Sequence, residues 1–123
     1  MSISYDIDNA NRIVFVSIPD TIAIDDIERL ILSLRRQLRF VKNLSMLIDA
    51  RELKRAFLVR EGGSLLNLIT RQPTRLVCRY ALVVNQDFPP GFSRKFMIKA
   101  KRQGIRMKTF KDHASALAWL KNP

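Results

Sequence analysis

Ile105-Arg-Met-Lys-Thr-Phe110-Lys-Asp112-His-Ala-Ser-Ala-Leu-Ala-Trp119-Leu120 is the stretch that decides the fold. It reads as a short strand that turns within two residues into a final helix carrying the chain's only tryptophan. The spacing of Trp119 from Ala116, Leu117 and Leu120 suits a helix packed onto a sheet, so Trp119 is expected in the core rather than as a stacking platform for a base. At 123 residues, with 47% apolar residues and only four glycines and five prolines, the chain is expected to form one domain over 1–123.

The N-terminal end supplies the complementary half of the pattern. Ile3, Tyr5 and Ile7 alternate with polar residues, Asn9-Ala10-Asn11 offers turn chemistry, and Ile13-Val-Phe-Val-Ser-Ile18 resumes as a second strand, which predicts a hairpin. Asp25 and Glu28 have the spacing of a capping box, after which Ile27, Leu30, Ile31, Leu34, Leu38 and Val41 recur on one helical face. Leu44–Ala50 and Tyr80–Asn85 are apolar runs without alternation, as expected of central parallel strands covered on both faces. Between them a helix is expected to begin at Ser64, after Gly62-Gly63, and to stop before Pro73, with 51–61 left unassigned. Beyond Pro89-Pro90-Gly91, Phe92, Phe96 and Ala100 share a helical face that Gly104 ends. The order is ββαβαβαβα, an α/β fold with a mainly parallel sheet and an N-terminal antiparallel hairpin.

Composition narrows the chemistry. One cysteine, Cys78, cannot form an intramolecular disulfide, and with a single histidine, His113, the ligands of a structural zinc site are missing, so no metal and no cofactor are expected. Cys78 lies near Arg75 and Arg79, but burial at the start of a strand is its expected state rather than thiolate reactivity. There is no basic segment leading into an apolar leader, and no apolar run approaches the ~18 residues of a membrane span. An integral membrane protein is therefore not expected, and the cytoplasm is the expected location. The formal charge of +11 is unevenly spread: residues 1–28 hold six of the 11 acids against Arg12 alone, and the remaining chain carries the other 21 bases.

The β-β-α-β opening, the Leu47-Ile48-Asp49 strand end, the Tyr80–Val84 strand and above all Phe110-Lys-Asp-His-Ala-Ser-Ala-Leu-Ala-Trp-Leu120 resemble the SpoIIAA-like family, which is related to STAS domains. The resemblance covers nearly the whole chain. It implies a sheet flanked by helices and a place near bacterial anti-sigma-factor antagonists and, more distantly, lipid-transfer domains of the CRAL-TRIO type. The antagonists switch by phosphorylation of a serine soon after the third strand, yet the corresponding stretch here, Leu53-Lys-Arg-Ala-Phe-Leu-Val59, has no serine. Ser64 falls several residues too late, and a helix cap accounts for it better than a phosphorylation switch.

Candidate site residues follow from the fold. Open parallel sheets bind ligands outside the carboxyl ends of their strands, which here present Asp49, Arg51 and Glu52 from one strand and Asn85, Gln86 and Asp87 from another. An apolar, anionic molecule could enter between Phe88, Phe92, Phe96 and these strand ends if the following helix hinged at Pro89-Pro90-Gly91. Asp49 and Arg51 are otherwise expected to satisfy loop amides and each other. His113 has no sequence-level partner that would make it a general base, so an enzyme is not expected. The leading expectation is a non-enzymatic binding or regulatory domain, taking a small apolar or anionic ligand or a protein partner on a basic helix face at Arg94, Lys95, Lys99 and Arg102. The alternative is an electrostatic binder of nucleic acid or anionic lipid, using those residues with Lys101, Arg106 and Lys108. Nucleic acid is the less favoured partner, since no aromatic residues interleave the basic ones. An unpaired sheet edge leaves room for a homodimer.

Overall fold

The computed structural model describes residues 3–20, 22–37, 44–70, 77–86, 88, 90–102 and 104–122. Along them run β1 (Ser4–Asp8), β2 (Ile13–Ser17), α1 (Ile24–Gln37), β3 (Leu44–Asp49), α2 (Arg55–Thr70), β4 (Val77–Val83), α3 (Pro90–Arg102), β5 (Arg106–Phe110) and α4 (His113–Lys121). The order expected from the sequence holds throughout.

The five strands form one sheet in the order β1-β2-β3-β4-β5, with β1 antiparallel to β2 and every later pair parallel. The hairpin closes because Asp8 accepts hydrogen bonds from the Asn11 backbone N–H (3.2 Å) and from Asn11 Nδ2 (2.8 Å). Arg12 then takes the left-handed conformation (φ 55°) that tight hairpin loops require. The in-register rows Ile13–Ser45–Arg79–Arg106 and Phe15–Leu47–Ala81–Lys108 lie on one face of the sheet, and Val14–Met46–Tyr80–Met107 on the other.

The two faces carry two separate cores. On the larger, Ile27 and Leu34 of α1, Phe57, Leu58 and Leu65 of α2 and Ala100 of α3 pack on Val14, Met46, Tyr80 and Leu82. On the other, Ala116 and Leu120 of α4 pack on Ile13, Leu47, Ala81 and Val83, with Trp119 partly buried against them. Ala81 and Ala116 are both fully buried, and their small side chains let α4 lie close to the sheet.

Two local expectations are corrected. The helix between the central strands begins at Arg55, so residues 55–61 of the unassigned stretch contribute its first two turns and Ser64 sits in its interior rather than at its cap. Helical Gly62 and Gly63 cost roughly 1 kcal/mol each against alanine, whereas burying Phe57, Leu58 and Leu65 contributes about 1.5–3 kcal/mol apiece, so packing carries the helix through the glycine pair. The expected capping box also moves by two residues. The Ala23 N–H donates to the Asp26 carboxylate (3.1 Å) while the Asp26 N–H donates to the Ala23 carbonyl (3.0 Å), which makes Ala23 the cap and Asp26 its reciprocal acid. The end of that helix expected at Leu38–Lys42, and the stop at Gln72-Pro73, lie outside the described residues.

The last two helices have sequence-legible ends. Pro90 occupies the first position of α3, where a missing N–H costs nothing. At its other end Gly104 (φ 75°) donates to the Lys101 carbonyl and Ile105 to the Ala100 carbonyl, the paired bonds of a Schellman motif. Asp112 caps α4 by accepting from the Ser115 N–H (2.8 Å) and the Ser115 hydroxyl (2.9 Å).

Candidate functional site

The chain leaves β4 toward the face covered by α1, α2 and α3, and leaves the adjacent β5 toward the face covered by α4. Neighbouring strands whose connections depart to opposite faces define a switch point, the place where open α/β sheets offer ligands a site. Asp49, Arg51, Asn85, Asp112 and His113 all gather at this carboxyl end of the sheet.

Asp49 and Arg51 form a two-pronged pair. Arg51 Nε donates to Asp49 Oδ1 at 2.9 Å and one terminal guanidinium nitrogen donates to Oδ2 at 2.8 Å, while the Arg51 backbone N–H also donates to Oδ1 at 3.2 Å. These bonds hold the Asp49 carboxyl below its ordinary range, with His113 adding slightly, and raise the Arg51 guanidinium above its own. The carboxylate is half-buried and the guanidinium half-exposed, so the pair's cation faces solvent. Asn85 Nδ2 donates to the Arg51 carbonyl at 2.6 Å, fastening the loop after β3 to the end of β4. His113 is exposed at the first turn of α4 and stacks on Phe15, with ring centroids 5.9 Å apart. Asp49 and Arg51 thus satisfy each other and the loop, and Glu52 and Gln86 are exposed beside them.

Phe88 connects this polar end to the interior. Its N–H donates to the Asn85 carbonyl (3.2 Å), and its buried ring borders an internal apolar cavity of about 40 Å³. That cavity lies between the sheet and α1 and α2, walled by Ile27, Leu34, Leu58, Leu65, Ile48 and Leu82 among others, and none of the described side chains of α3 lines it. The side chains of Phe92 and Phe96, and Asp87 and Pro89 as a whole, lie outside the described residues.

On α3, Arg94, Lys95, Lys101 and Arg102 are exposed, and Lys99 Nζ donates to Asn67 Oδ1 of α2 at 2.5 Å. Met97 and Ile98 stand exposed among these cations, 42% and 49% respectively. With Lys101, Arg106, Lys108 and Trp119 they border a surface groove of about 380 Å³ along β5. Ser64 is exposed and borders a different groove, between α1 and α2.

One residue was missed in the sequence. Arg79 is buried on the α4 face, where it donates to the carbonyls of Trp119 (2.7 Å) and Leu120 (3.0 Å) and lies 4.3 Å above the Trp119 ring. Burial, with Arg106 beside it on β5, lowers its pKa. The signal was a charged residue at an inward position of an apolar strand, which in such a place must meet carbonyls or an acid. The side chain of Cys78, next to it, lies outside the described part of β4.

Among the described residues no cluster of three or more His, Cys, Asp or Glu is placed to hold a metal ion, and no helix is long and apolar enough to cross a membrane. The sequence matches no family model and no curated protein. Among solved structures it is similar to an uncharacterized protein of the DUF3478 family from Shewanella loihica PV-4, described as having a SpoIIAA-like fold. The TM-score is 0.64 and the identity 19%, over 97% of this chain and 94% of that one. The five-stranded mixed sheet, the ββαβαβαβα order and this likeness agree that the chain has a SpoIIAA-like fold.

Proposed function

We propose that this chain is a non-enzymatic binding domain that holds a small apolar molecule, with or without an anionic end, between the sheet and helices α1 and α2. The observation that carries the reading is the cavity bordered by Phe88, whose walls among the described residues are aliphatic and aromatic side chains, Tyr80 being the one with a hydroxyl. A cavity so lined stays dry, and filling it with carbon restores dispersion contacts that its walls otherwise lack. About 40 Å³ is roughly a quarter of the ~150 Å³ that holds benzene in an engineered cavity, so occupancy requires α1 or α2 to move outward. The Asn85–Arg51 bond and the turn to Phe88 connect that movement to the Asp49–Arg51 pair, whose outward guanidinium offers an anionic end group a partner.

Native mass spectrometry tests this. The protein is measured as purified and after incubation with 1-hexanol or hexanoate, beside Leu65→Trp, which fills the space. An adduct retained by the natural chain and lost in Leu65→Trp supports the reading, and stronger retention of hexanoate than hexanol assigns the anionic preference to Arg51. Equal adducts on both proteins, or none on either, would overturn it.

A second reading rests on the exposed cations of α3 and β5. None of Arg94, Lys95, Lys101, Arg102, Arg106 and Lys108 forms a salt bridge among the described residues. An electrostatic partner would be lost steeply as salt is added, and salt-insensitive binding would exclude it.

A further inference from the structure

The two edges of the sheet, β1 and β5, are unpaired among the described residues, and they carry opposite charge. Tyr5 and Ile7 of β1 pack toward the α1 side of the sheet, which leaves Ser4, Asp6 and Asp8 on the α4 side. On β5 the same alternation puts Met107 toward α1, α2 and α3, and Arg106, Lys108 and Phe110 toward α4. On one and the same face, then, one edge is acidic and the other basic.

We infer that β1 of one copy adds to β5 of another, continuing the sheet from molecule to molecule in a head-to-tail assembly. Because β1 runs against the parallel strands, a neighbour placed with its α4 face on the same side presents β1 antiparallel to β5. With Asp6 set opposite Lys108, the register places Asp8 opposite Arg106 and Ile7 opposite Met107. Every charged residue meets its opposite and the apolar pair meets itself.

Like edges are forbidden by the same residues. Two β5 edges together would set Arg106 and Lys108 against themselves, and two β1 edges would do the same with Asp6 and Asp8, as charged edges ordinarily do to prevent aggregation. Only the unlike pairing escapes that repulsion.

The receiving edge is also shaped for a strand. The groove along β5 runs between Met97 and Ile98 of α3 on one side and Trp119 of α4 on the other, so an extended segment laid against the strand would cover the exposed Met97 and Ile98. A strand received there needs apolar residues toward α3 and acids toward α4, the alternation of Ser4-Tyr-Asp-Ile-Asp8. Such a heterologous contact closes into a ring or continues as a filament.

Sedimentation velocity over a wide concentration range, at fixed salt, tests the inference on the full chain. The natural protein is expected to rise from its 14.2 kDa monomer toward multiples of that mass. Asp6→Lys/Asp8→Lys alone and Arg106→Glu/Lys108→Glu alone are each expected to stay monomeric, and an equal mixture of the two is expected to associate again, because each then offers the other an opposite edge. The Glu variant has less net charge than the natural chain, so its failure to associate cannot come from overall repulsion. Circular dichroism confirms that both variants fold. A natural chain that remains monomeric throughout, a variant that associates as well as the natural chain, or a mixture that fails to recover would each overturn the inference.

Discussion

The guanidinium of Arg79 lies 4.3 Å above the indole of Trp119 and donates to that residue's own carbonyl at 2.7 Å. With its second bond, to the Leu120 carbonyl, Arg79 neutralises the negative end of α4 from beneath, a service usually supplied by residues of the helix itself. No acid accompanies it in the three salt bridges among the described residues, and its Nε has no partner there.

Replacing Arg79 by alanine removes two charge-assisted hydrogen bonds and the cation–π contact, an expected loss of about 2–4 kcal/mol. Arg79→Lys keeps the charge without the planar fork and is expected to lose roughly half as much. Urea unfolding followed by Trp119 fluorescence measures both. Equal stability of all three proteins would show that the burial cost of the guanidinium cancels its bonds.

Gly63 lies exposed within α2, and a Cβ built there meets nothing within 4 Å. Gly63→Ala is therefore expected to stabilise the protein by about 0.5–1 kcal/mol. Ser64→Ala is expected to be neutral or slightly stabilising, since Ser64 is interior to the helix. A loss of about 1 kcal/mol at Ser64, seen as a lower urea midpoint, would mean that the helix starts there after all.

Asp49 is held ionised by Arg51, so its pKa lies lower in the folded chain than in the unfolded one. The stability this contributes is fully present above the unfolded carboxylate value of about 4 and is lost as pH falls through the lower folded value. The urea midpoint of the natural protein is expected to fall more steeply below about pH 4 than that of Asp49→Asn, with the two curves running parallel from pH 5 to 7. Asp8, Asp26 and Asp112, also lowered by hydrogen-bonded partners, share the same sign and remain in both proteins. Parallel curves through the acid range would remove the Asp49–Arg51 bond as their cause.

The elements that the sequence made legible are those whose signals are local. Alternation at Ile3, Tyr5 and Ile7, the unbroken apolar runs of the central strands and the left-handed glycine at 104 each report backbone geometry within a few residues. The start of α2 was not legible, because Gly62-Gly63-Ser64 imitates a helix boundary and the forces that override it come from the sheet, through Phe57, Leu58 and Leu65. The strand ends that bring Asp49, Arg51 and Asn85 together were legible from strand order. The cavity was not, since its walls come from α1, α2 and three strands and no spacing in the chain records the gap between them. Arg79 was hidden because its partners are carbonyls forty residues away, which have no sequence signature.

The most direct test of the binding account is methyl NMR of the natural protein during titration with hexanoate. The account predicts that methyl resonances of Ile27, Leu34, Leu65 and Leu82, all lining the cavity, shift together and saturate, while those of Leu47 and Ile98, on the α4 face and on the outside of α3, stay in place. Shifts confined to Ile98 and its neighbours would place the molecule on the surface and contradict a ligand held between the sheet and α1 and α2.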